Sequence, residues 1–116
     1  MVKTHRDLKV WQKSMTLVTN VYQAVENFPD FEKFGLVSQI RRSSVSIPAN
    51  IAEGFGRRSQ KEFRRFLNIS MGSLFELETE LGVSYNLGFL EESLFNEIYE
   101  DTREVERMMS SFISSL

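Results

Sequence analysis

Arg57, Arg58, Lys61, Arg64 and Arg65 crowd five cations into one short stretch, and the chemistry such a group does best is contact with phosphates. They sit at the start of a helical pattern. There the helix macrodipole disfavours positive charge by about 0.3–1 kcal/mol per residue, so helix energetics alone do not account for them. A phosphate-facing surface does, with Lys9 and Lys13 joining from the first helical segment and Phe55 offering an aromatic face for stacking. The competing reading is a solvated face partly neutralised by Glu53 and Glu62. An isoelectric point near 5.5 lacks the global basicity common among nucleic-acid binders.

Other chemistry is sparse. Glu76 and Glu80 stand four apart, as metal or acid/base carboxylates would, but a di-metal helical site would also want Glu-x-x-His pairs. The only histidine is His5, near the start of the chain, so no metal site and no cofactor are expected. Gly54-Phe55-Gly56 follows a helical pattern rather than a strand and reads as a turn, not a nucleotide loop. Ser43, Ser44 and Ser46 lack a base or a nucleophile elbow and suit helix contacts. Trp11 reads as core. The expectation is a protein with no catalytic residues.

The stretch 36–54 is the densest in information. Val37, Ile40, Ile47 and Ile51 lie on one helical face with Ser44 in the gap, while Gln39, Arg42, Ser46, Asn50 and Glu53 form a second, hydrogen-bonding line. Pro48 interrupts the pattern. It removes the bond to the Ser44 carbonyl and costs about 3 kcal/mol unless the helix adapts.

These residues need elements to hold them. The chain of 116 residues has no cysteine, so disulfides and thiolate sites are excluded and a reducing compartment fits. The pattern predicts one domain over 1–116, in the cytoplasm, without a membrane-spanning run. Leu8, Trp11, Met15, Val18, Tyr22 and Val25 step as the seam of a first helix, with Asp7 as N-cap and Phe28-Pro29 as a stop. A second helix runs from about Glu32 to Glu53. Ser59-Gln60-Lys61-Glu62 then has the form of a capping box opening a third, with Phe63, Leu67, Ser70, Leu74, Leu77, Leu81 and Tyr85 inward and Gly88 as its terminator. A fourth begins near Glu92, with Leu94, Ile98, Val105, Met109, Phe112 and Leu116 inward. Helices of this length on short turns imply an all-α, antiparallel up-down-up-down four-helix bundle about 30 Å tall.

Such a topology separates charge. Residues 1–68 hold 12 Lys and Arg against 6 Asp and Glu, and residues 69–116 hold 2 against 10. Lys3, Arg6, Lys9 and Lys13 should join the Arg57–Arg65 cluster at one end. Glu26, Asp30, Glu32, Glu76, Glu78, Glu80, Glu91 and Glu92 should mark the other, giving a dipolar rod. Apolar residues off the seams, among them Val10, Leu17, Val21, Ala24, Phe28, Phe66, Ile69, Phe75, Phe95 and Tyr99, exceed what one core needs and predict burial between subunits.

The segment Gly35-Leu36-x-x-Gln39-Ile40-Arg41-Arg42-Ser43-Ser44-Val45-Ser46-Ile47-Pro48-x-Asn50-Ile51-Ala52-Glu53-Gly54 closely resembles the bacterial four-helix bundle proteins encoded in intervening sequences of 23S ribosomal RNA genes. Its flanks do too. Asp7-Leu8-x-Val10-Trp11, Phe28-Pro29, Phe63-x-x-Phe66-Leu67 and Gly72-Ser73-x-x-Glu76-Leu77-Glu78-Thr79 follow that family's pattern in order, while the last helix is matched only as an amphipathic one. The resemblance implies a bundle that assembles as a homopentamer and has no known catalytic activity, with Gln39, Arg41, Arg42, Ser46, Pro48, Asn50, Glu53 and Gly54 as its structural motif. A related bundle serves diversity-generating retroelements as an accessory protein that binds nucleic acid and the reverse transcriptase. The expected function is therefore non-catalytic binding of RNA or DNA, structured RNA first, through the basic end of an oligomer. A protein-interaction scaffold or accessory subunit, with a protein partner and no nucleic-acid role, is the alternative.

Overall fold

The computed structural model describes residues 1–116 and contains four α-helices and no strand: α1 Lys9–Val25, α2 Leu36–Gly56, α3 Gln60–Asn86 and α4 Glu92–Ser115. Single 3-10 turns at His5–Asp7 and Asp30–Glu32 precede α1 and α2. Neighbouring helices run antiparallel, because partner numbers fall on one as they rise on the other. Ser43 meets Glu80 while Ser70 meets the Ile47 carbonyl across α2 and α3. Tyr85 stacks on Phe95 while Phe63 packs edge-on against Phe112 across α3 and α4. Lys9 and Val10 lie beside Met108 and Ser111 while Gln23 and Ala24 lie beside Leu94 and Ile98 across α1 and α4, and Arg41 covers Tyr22 between α1 and α2.

All four helices feed one core of 18 buried hydrophobic residues. α2 buries Val37, Ile40, Ile47 and Ile51 with Ser44, the face its spacing predicts. α3 and α4 also hold most of their expected seams, including Leu67, Leu74, Leu77, Leu81, Ile98, Val105 and Met109. α1 does not. Its inward residues are Val10, Ser14, Leu17, Val21 and Val25, whereas Met15 and Tyr22 are exposed. Thus Val10, Leu17, Val21 and Phe28, expected between subunits, belong to the core of a single chain. The small buried Ser14 interrupts the true stripe and makes its neighbour look cleaner.

The ends are set by local chemistry. Gly88 at φ +80° lets Phe89 N–H reach the Ser84 carbonyl and Gly88 N–H reach Tyr85, so α3 closes in a Schellman motif. Ser59 caps α3 by accepting from Glu62 N–H, but the Glu62 carboxylate turns to Arg65 instead of completing the box. Asp7 is not the N-cap of α1. It closes the preceding turn by accepting from the Lys3 and Thr4 N–H groups, and that held charge keeps its carboxyl below the usual range. The second helix starts at Leu36 rather than Glu32, because the Glu32 carboxylate accepts the Leu36 N–H from the turn before it. With α3 at 27 residues the bundle reaches 43 Å in length, beyond the expected height.

Candidate nucleic-acid interface

The polar line on α2 has a structural task. Ser43 Oγ donates to Glu80 at 2.6 Å, Ser46 and Ser73 hydroxyls meet at 2.8 Å, and Ser70 Oγ donates to the Ile47 carbonyl at 2.8 Å. Asn50 Nδ2 ties back to the carbonyl and hydroxyl of Ser46. Small side chains therefore bring α2 and α3 close and hydrogen-bond them. Gly54 completes the approach, since a Cβ there would lie 2.6 Å from Phe66 Cβ. Pro48 is buried within an unbroken α2, and Arg41 lies over the Tyr22 ring at 5.2 Å. Gln39 and Arg42 stay exposed on the rim of a wholly polar groove shared with Ser73, Glu76 and Glu80. Partial burial there raises the Glu80 carboxyl, with the Ser43 hydroxyl pulling it part of the way back.

The basic cluster is divided by its surroundings. Arg57 and Arg65 lie over Phe66 at 5.1 and 4.7 Å, which places two guanidinium groups on one aromatic ring. They also pair with Glu53 at 3.7 Å and Glu62 at 3.2 Å. Arg64 donates to the Leu116 main-chain oxygen at 2.7 Å and so anchors the end of α4. Lys13 pairs with Glu104 at 3.2 Å. Lys9, Arg58 and Lys61 remain exposed and free of carboxylates, and Lys3 and Arg6, which are also free, lie at the same end. The five expected neighbours thus do three jobs: Arg57 and Arg65 cover Phe66, Arg64 holds the end of α4, and Arg58 and Lys61 face solvent.

The charge separation is also weaker than expected. α4 returns to the basic end and brings Glu104 against Lys13, while Glu76, Glu78 and Glu80 lie along the middle of α3 rather than at its tip. Burial raises the Glu78 carboxyl, which the Thr102 hydroxyl opposes and Glu106 reinforces. No group of three His, Cys, Asp or Glu side chains is arranged to hold a metal ion. No helix is long and apolar enough to cross a membrane.

A feature missed in the sequence lies on the α1–α2 face. Met15, Val18 and Tyr22 share one side of α1, and because Arg41 covers Tyr22, Val45 and Ala49 come level with Val18 and Met15 in antiparallel order. Met15 and Val45 are each 43% exposed. At the far end Phe31 and Phe34 are 78% and 89% exposed. The spacing of Met15, Val18 and Tyr22 was visible, but not its outward direction.

The family model described as 23S rRNA-intervening sequence protein matches residues 6–111. Among solved structures, a protein of unknown function from the S23 ribosomal protein family of Bacteroides thetaiotaomicron is similar, with a TM-score of 0.81 and 27% identity, covering 90% of this chain and 97% of that one. No curated protein matches the sequence.

Proposed function

We propose the following function for this chain, which belongs to the 23S rRNA-intervening sequence protein family: a non-catalytic cytoplasmic bundle that assembles with copies of itself, as a homopentamer, and binds nucleic acid through its basic end. Structured RNA is the first candidate, on the family's association with ribosomal RNA genes. The observation that carries the reading is the set of Lys3, Arg6, Lys9, Arg58 and Lys61, exposed at one end without carboxylate partners. Cations left unpaired release counterions when they meet phosphates. Assembly multiplies them, since a ring of subunits would present the same patch at every position around one rim.

The non-catalytic part of the reading is supported by where the hydroxyls go. Ser14, Ser43, Ser44, Ser70, Ser84 and Thr102 donate to main-chain carbonyls of helices, with Ser43 also on Glu80. None is paired with a general base that is in turn oriented by a third group. The absence of cysteine suits a reducing cytoplasm.

A second reading, a protein-docking scaffold, draws on the exposed Phe31 and Phe34. Binding of labelled RNA and DNA to the oligomer between about 50 and 200 mM salt separates the two. Affinity falling steeply with salt supports the first. No detectable binding at the lower salt leaves the scaffold.

A further inference from the structure

A cavity of about 700 Å³ opens at the basic end, between the first 3-10 turn and the α2–α3 turn. Lys3, Arg6 and Arg58 line it, and no carboxylate does. Asp7, the nearest acid in sequence, is held by the Lys3 and Thr4 N–H groups instead. Three of the five unpaired cations therefore converge on one concavity that no carboxylate lines. Phe55 and Phe63, each half-buried and packed edge-to-face at 5.8 Å, supply its apolar part.

Arg58 carries a second, independent signal. It is the one non-glycine residue with positive φ, at +56°, just past the end of α2, where helices ordinarily place glycine to avoid strain. A long cationic side chain stands where the backbone alone would favour none. Ser59, the cap of α3, lines the same cavity, so the positive end of a 27-residue helix faces it as well.

We propose that this cavity receives one unpaired nucleotide of an RNA, its base against Phe55 and Phe63 and its phosphate among Lys3, Arg6 and Arg58. The inference rests on the nucleic-acid reading above and adds to it a preference that surface cations cannot supply. The volume lies within the range of small-ligand sites. A base inside a duplex cannot enter, whereas one in a bulge or loop can be splayed out onto aromatic rings.

The test compares two RNA hairpins of the same stem at 50 mM salt by fluorescence anisotropy, one fully paired and one with a single bulged nucleotide. The bulged hairpin should bind about tenfold more tightly, the scale of one base–aromatic stack. In Arg58→Gly the ratio of the two affinities should fall severalfold while the melting temperature stays level or rises, because glycine relieves the positive φ. Phe55→Leu should lower the same ratio. Equal binding of both hairpins by the wild type, or a ratio that survives both substitutions, overturns the pocket and leaves the broader reading standing. Binding to neither hairpin overturns both. AMP or UMP displacing the bulged hairpin at micromolar concentration would overturn the RNA source in favour of a free nucleotide; displacement only at millimolar concentration supports the polymer.

Discussion

Gly54 and Phe66 touch so closely that a methyl group on Gly54 would sit 2.6 Å from the Phe66 Cβ. The contact lies where α2 and α3 converge, and both partners are backbone-proximal atoms that cannot swing aside. Gly54→Ala should therefore destabilise the bundle by about 1–3 kcal/mol through overpacking. Gly72→Ala is the control. Nothing lies within 4 Å of its added Cβ, so the higher helix propensity of alanine should stabilise by roughly 0.5–1 kcal/mol. Urea denaturation of the two variants measures both signs, and a neutral Gly54→Ala would refute the close approach.

How much of this was readable beforehand depended on whether each signal was local. The α2 face was legible because Val37, Ile40, Ile47 and Ile51 recur without competition. In α1 two apolar stripes lie side by side, and the choice between them is made by the other three helices, so the period alone favoured the wrong one. The positive residues at Arg57–Arg65 were plain in the sequence. Their division was not, because Phe66 captures Arg57 only once the α2–α3 turn has folded. The cavity joins residues 3–6 to residues 52–63, and only the folded turn brings those segments together.

Glu80 and Glu78 make stability depend on pH in a direction opposite to that of ordinary salt-bridged acids. Burial raises both carboxyls above the usual value, so the folded state binds these protons more tightly than the unfolded chain does. Stability from this source is present at low pH and is lost as pH rises through the folded values. Glu62 and Asp7 are lowered, by Arg65 and by the Lys3 N–H respectively, so their contribution is lost only as pH falls through the more acidic range. The melting temperature should thus rise as pH is lowered from neutral through the raised values of Glu78 and Glu80, and fall at still lower pH as Glu62 and Asp7 take up protons. In Glu78→Gln/Glu80→Gln the first change should flatten. A variant with the wild-type profile would remove both residues from the account.

Met15 and Val45 should mark an assembly face. A stripe of apolar side chains on α1 and α2, exposed in a single chain, is the kind of surface that association buries. Met15→Lys with Val45→Glu should convert the oligomer to a 13.5 kDa monomer in light scattering while the helical circular dichroism is unchanged, since neither residue is in the core. A wild type that is already monomeric at micromolar concentration would end the assembly proposal. A variant that keeps its size would move the interface elsewhere.

Charge reversal should separate the two kinds of cation at the basic end. Lys9, Arg58 and Lys61 are free, so changing all three to Glu should abolish RNA binding at 50 mM salt with little effect on folding. Replacing them with Gln instead should reduce the slope of log affinity against log salt by about one per phosphate contact removed. Arg57 and Arg65 differ because both lie over the Phe66 ring. Their replacement by Gln should cost roughly 1 kcal/mol of stability through lost cation–π contact and exposed ring, and a smaller share of binding per residue. The comparison is made by thermal melting and by salt-dependent anisotropy on the same five-residue set. If Arg57 and Arg65 prove to dominate the salt slope while the free cations contribute nothing, the ion pairs with Glu53 and Glu62 open on binding, and the interface lies over α3 rather than around the cavity.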